Sequence, residues 1–360
     1  MKQTLLLFCL ALFLTTASGQ AFTLQPPPTF SWVKTITFSN LNTNAEFFDF
    51  YTDPTGNSYV YGWVQGGLNF GPGFSLQTLN AYEAHFVAKY AQNGVLQWVR
   101  KIVAPNAGPI FEDYRIGGIT ADAAGNVYIT SQTTNPALDF GNGVVLNRKC
   151  TGKCSDFFIA KYNADGIAQW VVNGTGNSGT FQTAGRMVTA ADGSIFVGGD
   201  YNGPTIQLEN TVFNNLSENG IYLARFSNAG NLLNANFYNN GNGYAQLEHL
   251  AATSQNKLLA TGYYDAGTLE FGNGITLPTS GSNLATNYYV VEFDQQGLAL
   301  WARNLNSESN NLNVFDIVAD TFGHPYVVVD FEANLSSGPD EVAPPATSGL
   351  HDAILLHLID

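Results

Sequence analysis

The sequence predicts an all-β chain: a five-bladed β-propeller of four-stranded antiparallel blades, its ring closed by an N-terminal strand that completes the last blade. Three observations predict it. A degenerate repeat of about 66 residues runs along the chain. Within each copy, apolar residues recur at period two, the pattern of half-buried strands. No stretch after residue 19 shows a helical period with caps.

The first element precedes the repeat. Lys2 gives a positive start, Leu5 to Leu14 form an apolar run, and Ala17-Ser18-Gly19 supplies small residues at a cleavage position. That pattern reads as a secretory signal peptide over 1–19, too short in its apolar core to span a bilayer. Cleavage after Gly19 leaves Gln20 first, and Phe8 before Cys9 argues against a lipoprotein. Nothing downstream approaches a membrane span, so the expected product is exported, secreted or held at the cell surface.

Each repeat then supplies four strands. The first ends at a turn marked by Gly56, Gly125, Gly193 and Gly323, with Asn256 in the fourth copy. Gly and Asn tolerate positive φ, so this is a hairpin. The second strand carries Tyr59, Tyr128, Phe196, Leu259 or Tyr326. An excursion through Asn69-Phe70-Gly71, Asp139-Phe140-Gly141 or Glu270-Phe271-Gly272 leads to the third, such as Phe86-Val87-Ala88-Lys89-Tyr90. A last turn at Gly94, Gly166, Gly230 or Gly297 opens the fourth, marked by Trp98, Trp170 and Trp301, with Asn234 in the third copy. The blades fall at about 47–102, 116–172, 184–239, 247–305 and 314–360. The fifth copy ends after its third strand. Phe30-Ser31-Trp32-Val33-Lys34-Thr35-Ile36 matches Leu96-Gln97-Trp98-Val99-Arg100-Lys101-Ile102, and Trp32 precedes Trp98 by 66 residues. Residues 30–36 are therefore expected to pair antiparallel with 353–359. One propeller domain then fills 20–360.

Blades bury their faces against neighbours, sheet on sheet. The aromatic residues are therefore expected in the core, each burying about 150–250 Å². Cys150 and Cys154 lie four residues apart, and in an oxidising compartment such a pair defaults to a local disulfide. Free thiols and a metal site are the alternatives, though the loop offers no further ligands. The net charge is −14, without a clustered basic surface, which argues against nucleic acid as partner. Charged residues make up 12 % of the chain, against about 25 % in ordinary domains, so Asn, Gly, Ser and Thr carry the surface.

The motifs Gly125-Asn126-Val127-Tyr128-Ile129-Thr130, Asp139-Phe140-Gly141-Asn142-Gly143, Asp156-Phe157-Phe158-Ile159-Ala160-Lys161-Tyr162 and Gly166…Trp170 resemble the bacterial β-propeller repeat family abbreviated SBBP. The likeness runs over essentially the whole chain after residue 19 and weakens in copies three and five. It implies a secreted or surface propeller. The family is usually described as seven-bladed, whereas the count here is five, and it carries no agreed catalytic residues to transfer.

Propellers place ligands at the mouth of the central channel, where first strands converge. Seven residues before each Gly turn stand Asp49, Gly118, Arg186, His249 and Asp316. Divergence to charged residues at one repeat position is what a ligand site looks like; the plain alternative is a solvated channel rim. Asp49, Arg186, His249 and Asp316 are the candidate ligand contacts, with Glu248 and Arg115 close by in sequence. Asp49, Glu248 and Asp316 are the candidate catalytic carboxyls of a glycoside hydrolase, which needs two around one opening. A non-enzymatic binding or adhesion module for an extracellular protein or glycan is the leading reading, and a five-bladed carbohydrate-active enzyme the alternative. Asp53, Asp122 and Asp320 recur before the turn and read as turn caps in preference to calcium ligands. The five His residues show no paired metal spacing, so no metal or cofactor is expected, and the chain is expected to be a monomer. Asn173, Asn215 and Asn334 stand in glycosylation sequons.

Overall fold

In the computed structural model, the described residues are 32–39, 43–71, 73–78, 83–105, 117–151, 154–176, 185–214, 216, 219–241, 243–265, 267–279, 286–307, 312–331, 335–336 and 352–358. The expected signal peptide, Gln20, Arg115, Asn215 and Asn334 lie outside them. Residues 34–360 form one compact unit, and Trp32 and Val33 belong to a separate one spanning 1–33. Among the described residues every regular element is a β-strand.

Antiparallel sheets follow one another along the chain; the strands given below are the main ones of each, and sheets II and III each carry two further short strands and sheet IV one at the fourth-strand edge. Sheet I is Asn44–Thr52, Ser58–Gln65, Glu83–Tyr90 and Leu96–Ile102. Sheet II is Gly117–Ala121, Val127–Thr133, Asp156–Tyr162 and Ala168–Gly176. Sheet III is Arg186–Thr189, Ile195–Asn202, Asn219–Phe226 and Leu232–Asn239. Sheet IV is Ala245–Ala252, Leu258–Tyr264, Asn287–Phe293 and Ala299–Ser307. Sheet V has Leu312–Ala319, Pro325–Phe331 and Asp352–His357. First strands of successive sheets lie side by side, I beside II through to IV beside V.

The turn chemistry explains why the chain folds this way locally. Gly56, Gly125, Gly193 and Gly323 all have φ between 77° and 93°, and Asn256 adopts φ 59° in the fourth copy. Asp53 Oδ1 accepts the N–H groups of Thr55 and Asn57, and Asp122 and Asp320 do the same in their turns. The Asp residues are turn caps, as their spacing predicts. The Cys150–Cys154 bridge is formed. Asn173 is buried and donates to Asp156 over 2.9 Å, so its sequon is closed to a glycan.

Between sheets the side chains interlock by repeat position. Tyr61, Trp98 and Ile102 of sheet I share a buried cluster with Ile119, Ile129 and Tyr162 of sheet II. Equivalent clusters join II to III, III to IV and IV to V. Trp98 Nε1 donates 2.9 Å to Ala164 O, and Trp170 Nε1 donates 3.2 Å to Asn228 O, each reaching the next sheet's turn. Trp301 instead donates 2.9 Å to Glu292 Oε2 of its own sheet.

One register recurs five times. Five residues after each fourth-strand marker, the chain pairs with a strand of the following excursion: Val103 with Asp139, Thr175 with Gln207, Asn239 with Glu270, and Asn306 with Ser336. Thr37, five residues after Trp32, pairs with Asn69 in the same way. Ile36 packs on Val64, Leu68 and Phe70, as Ile102 packs on Leu138 and Phe140.

The expected ladder between 30–36 and 353–359 is not formed among the described residues. Trp32–Ile36 are in no strand, and Asp352–His357 pairs with Pro325–Phe331. The faces that would meet between sheets V and I are correspondingly bare. Phe50 is 58 % exposed where its equivalents Ile119 and Ile317 are 2 % exposed, and Val328 is 37 % exposed where Tyr61 is fully buried. Among the described residues no further strand pairs with the outer edge of sheet V.

Candidate functional site

The first strands of sheets I, IV and V each carry a β-bulge at the same place, between Phe47 and Asp49, Leu247 and His249, and Val314 and Asp316. A bulge inserts one extra residue and re-aims the side chain that follows. Asp49, His249 and Asp316 are the residues so re-aimed. Arg186 opens the first strand of sheet III at the equivalent position. Gly118 contributes no side chain, and a Cβ there would lie 3.0 Å from Gly185 O.

These residues sense one another. Asp49 Oδ1 accepts the Phe50 N–H at 2.8 Å, and its Oδ2 accepts the Ile119 N–H of sheet II at 3.0 Å. Burial still dominates and pushes its carboxyl up to about 6, against the pull of those N–H groups and Arg186, with Asp316 adding a further push. Asp316 Oδ1 accepts the Ile317 N–H at 2.8 Å and lies 3.6 Å from His249 Nδ1. Burial raises Asp316 too, although its side chain is 65 % exposed. Walls crowd this carboxylate while water still reaches it, so the exposure governs and the rise is heavily screened.

Arg186 Nε donates to Glu248 O, and its Nη1 donates to Gly185 O at 3.1 Å. The guanidinium is thereby fixed where its field acts on Asp49, Glu248, His249 and Asp316. Burial and then Arg186 push His249 down to about 4. The imidazole is therefore neutral at pH 7, and its approach to Asp316 is a polar contact and not an ion pair. Burial raises Glu248, with Arg186 opposing it. Beside Glu248, Tyr244, Tyr263 and Tyr288 form a row with ring centroids 6.0 and 5.9 Å apart. The Glu248 charge raises both Tyr263 and Tyr288, after burial. The result is one fixed cation, a neutral imidazole, two carboxyls that burial biases toward protonation (Asp49 and Glu248) and a third, Asp316, open to water. Such a set can exchange hydrogen bonds with hydroxyl, amide or ammonium groups.

The structure thus puts Asp49, Arg186, His249 and Asp316, which share one repeat position, within one another's fields, together with the sequence neighbour Glu248. A second cluster is one that sequence reasoning missed. Asp320, His324 and His357 offer one ligand atom each within 4.8 Å of one another. His357 comes from the third strand, 33 residues after His324, so only the ladder that pairs Tyr326 with His357 juxtaposes them. Next to them a cavity of about 270 Å³ is lined by Lys257, Glu292, Trp301, Arg303, Phe322 and His324.

No family model matches the chain. A curated relative, an uncharacterized WD repeat-containing protein of Acanthamoeba polyphaga mimivirus, is 22 % identical over 279 residues. The match covers 66 % of this chain and 19 % of that protein, so the chain corresponds to a small part of its relative's length. Among the described residues no helix is long and apolar enough to cross a membrane.

Proposed function

We propose that this chain is a secreted five-bladed propeller that binds an extracellular protein or glycan through Asp49, Arg186, His249 and Asp316. The observation that carries the reading is their convergence: side chains from sheets I, III, IV and V, at one repeat position, act on one another's charge. Three of them follow the same bulge, a device found beside functional sites. The WD-repeat relative supports a propeller-type interaction module, since such repeats fold as four-stranded blades. The SBBP-like motifs and the signal-like leader support export. For closure, the support is the recurring register: Thr37 pairs with Asn69 just as Val103 pairs with Asp139, the relation expected if the segment before Thr37 acts as a closing fourth strand.

Glycan-array screening of the purified full chain, followed by calorimetry on any ligand found, tests this reading. Arg186→Met, Asp49→Asn and Asp316→Asn should each weaken binding by about tenfold or more, the scale of losing a charged hydrogen bond. Binding that survives all three substitutions places the site elsewhere and ends this assignment.

One observation favours a second reading. A carboxyl held near 6 beside a second carboxyl is how glycosidases obtain a general acid. Asp49 would then donate the proton and Asp316 would act as base or nucleophile. Hydrolysis of an array glycan, abolished by Asp49→Asn, would favour the enzyme over the binding module.

A further inference from the structure

The turn of sheet V departs from its counterparts in a way that changes its chemistry. In sheet I, Asp53 Oδ2 accepts from Asn57 Nδ2 and Tyr59 Oη, both at 2.9 Å, and Lys89 Nζ lies 5.4 Å from the Tyr59 ring centre. Sheet II repeats this with Asp122, Asn126, Tyr128 and Lys161. In both, hydrogen bonds occupy the carboxylate and a cation caps the ring. Sheet V keeps the aspartate and the tyrosine as Asp320 and Tyr326. It replaces the asparagine by His324 and the lysine by His357.

We propose that Asp320, His324 and His357 form a binding site for a divalent transition-metal cation of the Zn²⁺ class. All three side chains are ligands of that class, and together they make the His₂-carboxylate set used where further positions stay open. Their ligand atoms already lie within 4.8 Å of one another, with His324 Nδ1 3.1 Å from Asp320 Oδ2. Small side-chain rotations bring such atoms around one ion at bond lengths of about 2.0–2.2 Å. His357 supplies an independent sign. Its Nε2 atom is shut off from solvent and has no hydrogen-bond partner among the described residues, an arrangement that ordinarily costs stability. A metal on the ring would make use of the imidazole. The residues are also anchored near one another. His357 stacks on Tyr326 at 4.3 Å and 8°, the ladder pairs the two residues, and Asp320 is fixed by the N–H groups of Phe322 and His324. Because His324 also lines the adjoining cavity, a bound cation would have a coordination position within reach of water or a small anion there.

The test is a titration of untagged full-length protein with Zn²⁺ alone, and with Co²⁺ as the spectroscopic probe. One equivalent of metal should bind saturably, Co²⁺ should give visible d–d bands, and the melting temperature should rise with metal. The double substitution His324→Asn/His357→Lys restores the side chains that sheets I and II carry at these positions, so the turn should still fold. It should weaken binding by about 100-fold or more and remove the melting shift. Absence of one-equivalent binding overturns the site. So does binding that survives the double substitution, or binding lost on His249→Asn instead.

Discussion

Asp49 makes the stability of this protein depend on pH in an unusual direction. Its folded pKa of about 6 stands above the ordinary 3.8, with burial the first cause. Between those values the folded state holds more protons than the unfolded chain, so unfolding releases protons and stability falls as pH rises. The contribution is fully present below about pH 4 and is lost as pH passes through 6. The rise from 3.8 to about 6 corresponds to about 3 kcal/mol. Partial access of water to the group reduces this to about 1–2 kcal/mol. Asp49→Asn cannot ionise, so it lacks this slope. It also loses one of the two acceptors that Phe50 and Ile119 use, at a pH-independent cost of about 1–3 kcal/mol. Urea unfolding of both proteins at constant ionic strength from pH 4 to 7.5 separates the two effects. At pH 4 wild type should be the more stable, and its advantage should shrink by about 1–2 kcal/mol by pH 7.5. An advantage that stays constant across the range would refute the buried, raised carboxyl and with it the crowded geometry at this position.

Two further outcomes follow from the packing. Gly166 has φ +74°, and a Cβ there would sit 2.6 Å from Trp98, whose indole is held by Ala164 O. Gly143 has φ +76° with nothing within 4 Å. Gly143→Ala should cost about 1–2 kcal/mol from backbone strain alone, while Gly166→Ala should cost at least 1 kcal/mol more in the same melting assay; equal losses would show that Trp98 is not pinned. For closure, hydrogen exchange should find 32–36 and 353–357 protected to a degree comparable with Leu96–Ile102, and exchange of 32–36 at free-peptide rates would mean that no closing strand exists in solution.

Much of the architecture was legible because local chemistry and repeat position agree. Asn256 stands where other copies have glycine, and it takes the same left-handed conformation. Asp53, Asp122 and Asp320 cap the turns their spacing marks. The convergence of Asp49, Arg186, His249 and Asp316 followed from one repeat offset. What was not legible depends on contacts between distant segments. Nothing local in Trp32–Ile36 distinguishes a paired strand from an unpaired one, since the match to Leu96–Ile102 speaks of side chains and not of whether a partner edge is within reach. Nor does sequence reveal that Arg186 grips the Glu248 carbonyl while the Glu248 side chain keeps its own raised carboxyl.

The missed histidines show where a sharper signal lay. Sought as a spacing within one segment, a His pair is invisible here, because a β-ladder joins residues remote in sequence. Read down the repeat, the signal is plain. The turn position runs Asn57, Asn126, Ser194, Lys257, His324, and the third-strand position runs Lys89, Lys161, Arg225, Glu292, His357. These two positions meet in space: Arg225 donates to Ser194 Oγ at 2.9 Å, and Lys257 lies 3.2 Å from Glu292. In sheet IV the charges are exchanged together, so the pair stays matched. In sheet V both become imidazoles beside a carboxylate. The turn residue keeps its contact with the aspartate, His324 Nδ1 lying 3.1 Å from Asp320 Oδ2, while His357 replaces the cation that lies over the tyrosine ring in sheets I and II. Two imidazoles beside one carboxylate are better explained by a ligand than by packing, which the asparagine and lysine of sheets I and II already satisfy.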